Sequence, residues 1–177
     1  LDEIDRAVTE VRQGIFQLTD SRTIAGWTLH PDTLIFGAIN GGEDASQYQV
    51  GEMDPAELDR WTVFDVEPTV EDWISWANDN CHPMTVDFIR NNPAHLEHEG
   101  EIEPHKVYPS RRSWAHFDKC LQMAELTGEK IFDGDSPLIY FIGDGYVGKE
   151  ASIAFKNYLE KYERVITVED VLDNKKD

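Results

Sequence analysis

The chain opens on Leu1-Asp2-Glu3-Ile4-Asp5-Arg6-Ala7, and the pair Asp2-Glu3 has the residue types that hydrolysis of a magnesium–nucleotide needs. One carboxylate supports the coordination shell of the metal, and a second polarises the attacking water. In a chain with 35 acidic residues such a pair carries little weight alone, because a solvated helix start reads the same way. Order and spacing add the weight. The apolar run Leu34-Ile35-Phe36-Gly37-Ala38-Ile39 ends at Asn40, where a polar side chain would face the cleft beyond the carboxyl ends of parallel strands. Asn40 could instead cap the turn into Gly41-Gly42. Arg60, in Asp54-Pro55-Ala56-Glu57-Leu58-Asp59-Arg60-Trp61, could pair locally with Glu57 or Asp59. Arg112 stands near a helix start, where the positive end of the dipole disfavours a cation unless an anion lies between them.

These groups need elements to hold them. Val11, Ile15, Phe16 and Leu18 recur at helical spacing from Glu10 to Thr19, with Gly14 weakening the pattern. Ile24–Leu29 and Thr33–Ile39 read as strands on either side of the turn signal His30-Pro31-Asp32. The second is continuously apolar, as a parallel strand buried on both faces would be. Asp54-Pro55 starts a short helix to about Arg60, and Trp61–Val66 is a further strand candidate. Pro68 marks a change of character. Beyond it the pattern is helical: Thr69 caps Val70–Asn78, Pro83 opens Met84–Arg90, Ser110 caps a helix to Leu126, and a last helix runs from Gly148 to Tyr162. The tail Asp173–Asp177 is charged. The expected fold is an α/β core remnant over 1–67 followed by an all-α subdomain over 68–177.

In this order the motifs resemble the MoxR-like branch of the AAA+ ATPases, a P-loop NTPase family. There Asp-Glu-Ile-Asn-Arg-Ala forms the Walker B region, a strand ends in the sensor 1 asparagine, and Leu-Asp-Arg-Phe carries the arginine finger. The similarity is densest over 1–61. It continues through a lid pattern matched by Pro68…Trp73…Trp76-Ala77, Phe88-Ile89-Arg90…Pro93…Leu96 and Tyr108-Pro109-Ser110-Arg111-Arg112-Ser113-Trp114. Carried over position by position, the resemblance implies that Asp2 supports Mg²⁺, Glu3 is the catalytic base and Asn40 is sensor 1. It implies that Arg60 is an arginine finger acting in a neighbouring subunit, worth roughly 10³ in rate or more. Arg112 matches the sensor 2 arginine. Arg111 replaces the family's second proline, so either arginine could reach phosphate. Asp5 stands for the family's asparagine, Gly41 for a proline and Trp61 for phenylalanine.

The resemblance further implies ATP and Mg²⁺ as ligands, a ring, in all expectation a hexamer, and a remodelled client protein. It also places the P-loop before residue 1. The chain begins with Leu1 rather than methionine, which reads as trimming; by itself it is expected neither to bind ATP tightly nor to hydrolyse it. The rival expectation is a non-catalytic acidic module for a basic partner.

Two decoys complete the reading. Gly143-Asp144-Gly145-Tyr146-Val147-Gly148-Lys149-Glu150 nearly spells a P-loop, but glutamate replaces the hydroxyl that reaches Mg²⁺. Gly143 and Gly145 are read as a turn. His95-Leu96-Glu97-His98 lacks the zinc pattern and is read as solvated. A net charge of −19, from 16 basic and 35 acidic residues, repels nucleic-acid phosphate and anionic membrane. Cys81 and Cys120 are too few for a disulfide framework and fit free thiols in a cytoplasmic, reducing setting. No apolar run approaches the roughly 18 residues that span a bilayer.

Overall fold

The computed structural model describes residues 1–40, 53, 55–132, 134 and 136–162. The loop through Tyr48-Gln49-Val50, the cap residue Asp54 and the tail Asp173–Asp177 lie outside the described residues. The chain divides into two compact units, Leu1–Glu67 and Pro68–Asp177.

In the first unit a single 3-10 turn, Ile4–Arg6, leads into helix α1, Thr9–Ser21. Gly14 is accommodated in α1 with open space around it. The helix stops at Arg22, whose backbone is left-handed (φ 58°). A minimal ribbon follows: β1, Thr23–Ile24, pairs antiparallel with β2, Trp27–Thr28. Ala25 and Gly26 both have positive φ, 47° and 84°, the two-residue turn whose twist suits a hairpin. The Arg22 guanidinium then gathers the carbonyls of His30, Pro31 and Thr33, which fixes the path into 33–40. Helix α2, Pro55–Leu58, brings Glu57 to a buried ion pair with Arg12 of α1, Nε to Oε1 3.4 Å.

Three strand expectations need correction. Ile24–Leu29 contributes only hairpin arms, while 33–40 and 61–66 carry no assigned strand among the described residues. Leu34 and Phe36, expected inside, are 76% and 74% exposed, and Val63, Phe64 and Val66 are exposed too. A strand exists through its ladder, and among the described residues the 33–40 run has ladder bonds only to the first four. Gly37 is the point of close approach: a Cβ there would lie 2.6 Å from Ile4 Cδ1 and 3.4 Å from the Trp61 ring. Ile4, Gly37 and Trp61 are thus the small apolar knot that seats the first turn.

The second unit is a helical bundle: α3 Val70–Asn80, α4 Pro83–Asn91, α5 Arg111–Leu126, α6 Leu138–Tyr146 and α7 Gly148–Glu160. Helix α3 starts on a capping box in which the Asp72 amide donates to Thr69 Oγ1 and the Thr69 amide donates to Asp72 Oδ2. The hydrogen bond from the Thr69 amide, and next that from its hydroxyl, holds the Asp72 carboxyl below the usual carboxylate range. Helix α5 has a second box between Ser110 and Ser113. Trp114, Phe117, Phe88 and Phe155 interlock at the centre with ring centroids 5.2–5.7 Å apart, and the Trp114 indole N–H donates to the His95 carbonyl. Trp73 is also buried, whereas Trp76 is 47% exposed.

Asp118 of α5 is buried and fully used. It accepts from the His82 amide, the Thr85 hydroxyl at 2.6 Å and the Gln122 amide, and so caps α4 from a neighbouring helix. The 143–145 stretch corrects the expected turn: both glycines lie inside α6. At Gly143 a Cβ would stand 2.6 Å from Ser152 Cβ and 3.1 Å from the Phe117 ring, so this glycine lets α6 cross α7 and α5 closely.

Candidate functional site

Leu1 is bracketed by the apolar run in the bonding pattern of a parallel pair. Its amino group donates to the Phe36 carbonyl at 2.8 Å, and its own carbonyl accepts from the Ala38 amide at 2.9 Å. The Ile4 amide then donates to the Ala38 carbonyl at 3.2 Å. Residues 1–5 therefore run alongside 36–40, and Asp2-Glu3 reaches the same end of the pair as Asn40.

Asp2 is exposed, and its Oδ1 accepts from the Glu3 amide at 3.1 Å. Glu3 is the residue before the 3-10 turn and has a left-handed backbone, φ 49° and ψ 45°. For a residue with a Cβ that conformation costs on the order of 1 kcal/mol, and Arg22 and Ala25 adopt it too, at a helix end and a hairpin turn. Its carboxylate lies 3.4 Å from Arg6 Nε in an exposed pair. The Asn40 amide donates to Asp5 Oδ2 at 2.9 Å, so this backbone is held by a side chain of the acidic motif itself. Asp5 is only 3% exposed, and its Oδ1 has no hydrogen-bond partner among the described residues. The sequence marked Asp5 only as a departure from asparagine; its burial is the feature composition could not reveal.

No family model, curated protein or solved structure matches this sequence.

Arg60 is committed within its own unit. Its Nε donates to Asp20 Oδ2 at 3.1 Å, Nη1 reaches the Ala56 carbonyl, and the guanidinium lies 4.1 Å from the centre of the Phe16 ring. The local partner is thus Asp20 of α1, not Glu57 or Asp59. In the helical unit the two arginines separate cleanly. Arg111 pairs with Glu97 at 2.9 Å and donates to the carbonyls of Thr69 and Pro68 at 2.6 and 2.7 Å. Arg112 is exposed in the first turn of α5, with no hydrogen bond or ion pair recorded among the described residues. Of the pair, Arg112 is the one available to an anion.

Magnesium is usually bound through one or two carboxylates together with waters and substrate phosphates. Among the described residues no three His, Cys, Asp or Glu side chains gather to hold a metal. Asp2 is exposed, with its Oδ1 engaged by the Glu3 amide. His95 and His98 form no metal group either: the His95 ring stacks near Phe88, and the His98 ring stacks on Tyr108 at 3.9 Å.

Cys81 and His82 sit against the buried Asp118 and could be taken for a nucleophile with its base. Burial and then the Asp118 charge push the Cys81 thiol up to about 12, which removes the thiolate that such chemistry requires. Burial also lowers His82, whose ring stacks on Phe132 at 3.6 Å. The near-P-loop at 143–150 spans the end of α6 and the start of α7, whereas a phosphate-binding P-loop joins a strand to a helix.

Proposed function

We propose that this chain is the Walker B-to-lid part of a MoxR-like AAA+ ATPase. Such an enzyme couples ATP hydrolysis to remodelling of a client protein as a cytoplasmic ring, by family resemblance a hexamer. The observation that carries the reading is the parallel-type pairing of Leu1 between Phe36 and Ala38, which sets the acidic pair beside the run that ends at Asn40.

In this reading 1–67 is the remaining part of an α/β P-loop core and 68–177 its helical lid. When bound, Mg²⁺ supplies neutralisation of phosphate charge, with Asp2 supporting its coordination shell. Glu3 takes the proton of the attacking water once its carboxylate leaves Arg6. Asn40 orients that water and the terminal phosphate by hydrogen bonding. Arg112 binds phosphate from the start of α5, where a bound anion would relieve its conflict with the helix dipole. Arg60 serves a neighbouring subunit after giving up Asp20.

The 177 residues contain no complete P-loop motif, so the test begins with the coding sequence ahead of Leu1. A Gly-x-x-x-x-Gly-Lys-Ser/Thr there is expected. In a protein that carries it, Glu3→Gln abolishes magnesium-dependent ATP turnover while nucleotide binding persists. Turnover that survives the substitution removes Glu3 from the role of base.

The hold of Asp20, Ala56 and Phe16 on Arg60 favours a second reading. A guanidinium engaged within its own chain suits a non-catalytic acidic module that binds a basic partner, and the lack of an upstream P-loop would decide for it.

A further inference from the structure

We propose that Asp5 is a positioning residue of this site, a side-chain clip that sets Asn40 beside Glu3. The inference rests on the ATPase reading. Asp5 sits in the 3-10 turn immediately after the acidic pair, and its Oδ2 accepts the backbone N–H of Asn40 at 2.9 Å. Together with the bond from the Ile4 amide to the Ala38 carbonyl, this ties the last residues of the apolar run to the motif that carries Asp2 and Glu3. The clip fixes the main chain from which the Asn40 side chain springs.

The other oxygen supplies the independent observation. Asp5 is 97% removed from solvent, yet its Oδ1 has no hydrogen-bond partner among the described residues. A buried acceptor left unmet opposes folding. Asp118 of the helical unit is the contrast within the same molecule: equally buried, it has donors on both oxygens. Asp118 has the surroundings of a structural carboxyl group. Asp5 does not, and a group held where it weakens the fold is better explained by what it positions. The resemblance assigns no role to this position, where the family carries asparagine.

Stability and turnover respond in opposite senses if this is correct. In the 177-residue chain, Asp5→Ala leaves Tm unchanged or raised, while hydrogen exchange at the Asn40 amide speeds up. In the P-loop-bearing protein, Asp5→Ala lowers kcat at least about tenfold with KM for ATP within about twofold, because only the placement of a reacting-site residue is lost. Asp5→Asn keeps a carbonyl oxygen for the Asn40 N–H and restores kcat to within about threefold of wild type. A fall in Tm of more than about 5 °C for Asp5→Ala assigns Asp5 to the fold and overturns the proposal. Wild-type kcat in Asp5→Ala overturns it while leaving the ATPase reading intact. Absence of turnover in the wild-type P-loop-bearing protein removes the ATPase reading, and the clip with it.

Discussion

At the scale of single residues, burial decides which reactive groups are reactive. Cys81 is the clearest instance. With its thiol raised from 9.0 to about 12, the thiolate fraction at pH 8 is about a thousandfold below that of an unshifted thiol. Native protein treated with iodoacetamide at pH 8 is therefore expected to stay unmodified at Cys81, and to react there once denatured. Peptide mapping by mass spectrometry reads this directly; native alkylation at the rate of free cysteine would contradict the burial. Asp2, Glu3 and Asn40 are singled out in the sequence by type and order, and main-chain bonds bring residues 1–5 alongside 36–40. Asp5 could not, since whether a carboxyl group lies inside or outside depends on contacts that spacing does not encode. The resemblance favours Arg112 over Arg111 as the phosphate-binding arginine without deciding between them. The structure separates them through Glu97 and the carbonyls of Pro68 and Thr69, which engage Arg111.

At the scale of elements, legibility followed local signals. Helices α3 and α5 announce themselves by Thr69 and Ser110, because capping boxes are built from residues three apart and need no tertiary partner. Helix α6 was missed. Leu138-Ile139-Tyr140-Phe141-Ile142 has no amphipathic period, and Gly143 and Gly145 argue against a helix by propensity. Packing overrides both. The two glycines should then behave differently on substitution. Gly143→Val forces a branched side chain towards Ser152 Cβ and Phe117, and is expected to destabilise by roughly 1–3 kcal/mol. Gly145 has nothing within 4 Å, so Gly145→Ala is expected to be neutral or stabilising by up to about 1 kcal/mol. Urea midpoints of the two variants test the pair, and equal losses would mean the α6–α7 crossing is not as close as described. The strand run 33–40 failed in the opposite way: its composition suits a sheet interior, but composition cannot name the neighbours that would form the sheet.

At the scale of the whole molecule, the two units differ in what they enclose. The helical unit has an extended core through Trp73, Phe88, Trp114, Phe117, Ile139 and Phe155. The first unit buries Ile4 but leaves Leu34, Phe36, Phe64 and Val66 largely exposed. Residues 68–162 expressed alone are thus expected to unfold in one cooperative urea transition, followed by far-ultraviolet circular dichroism. A broad, non-cooperative loss of signal would show that this core is not self-sufficient. Pro68 is also where the sequence changes from mixed to helical patterning and where the two compact units divide. No helix among the described residues is long and apolar enough to cross a membrane.

The grip of Arg111 on Pro68 and Thr69 has a kinetic meaning. The bond to the Pro68 carbonyl joins residues 43 apart in sequence, so making it closes a long loop and loses chain entropy before any contact is gained. The capping boxes at Thr69 and Ser110, each closed within three residues, carry no such delay. During refolding α3 and α5 can each begin on their own, while the first residues of the helical unit are fastened only after α5 has come alongside. The edge of this unit is thus drawn late, by a side chain that reaches back to it.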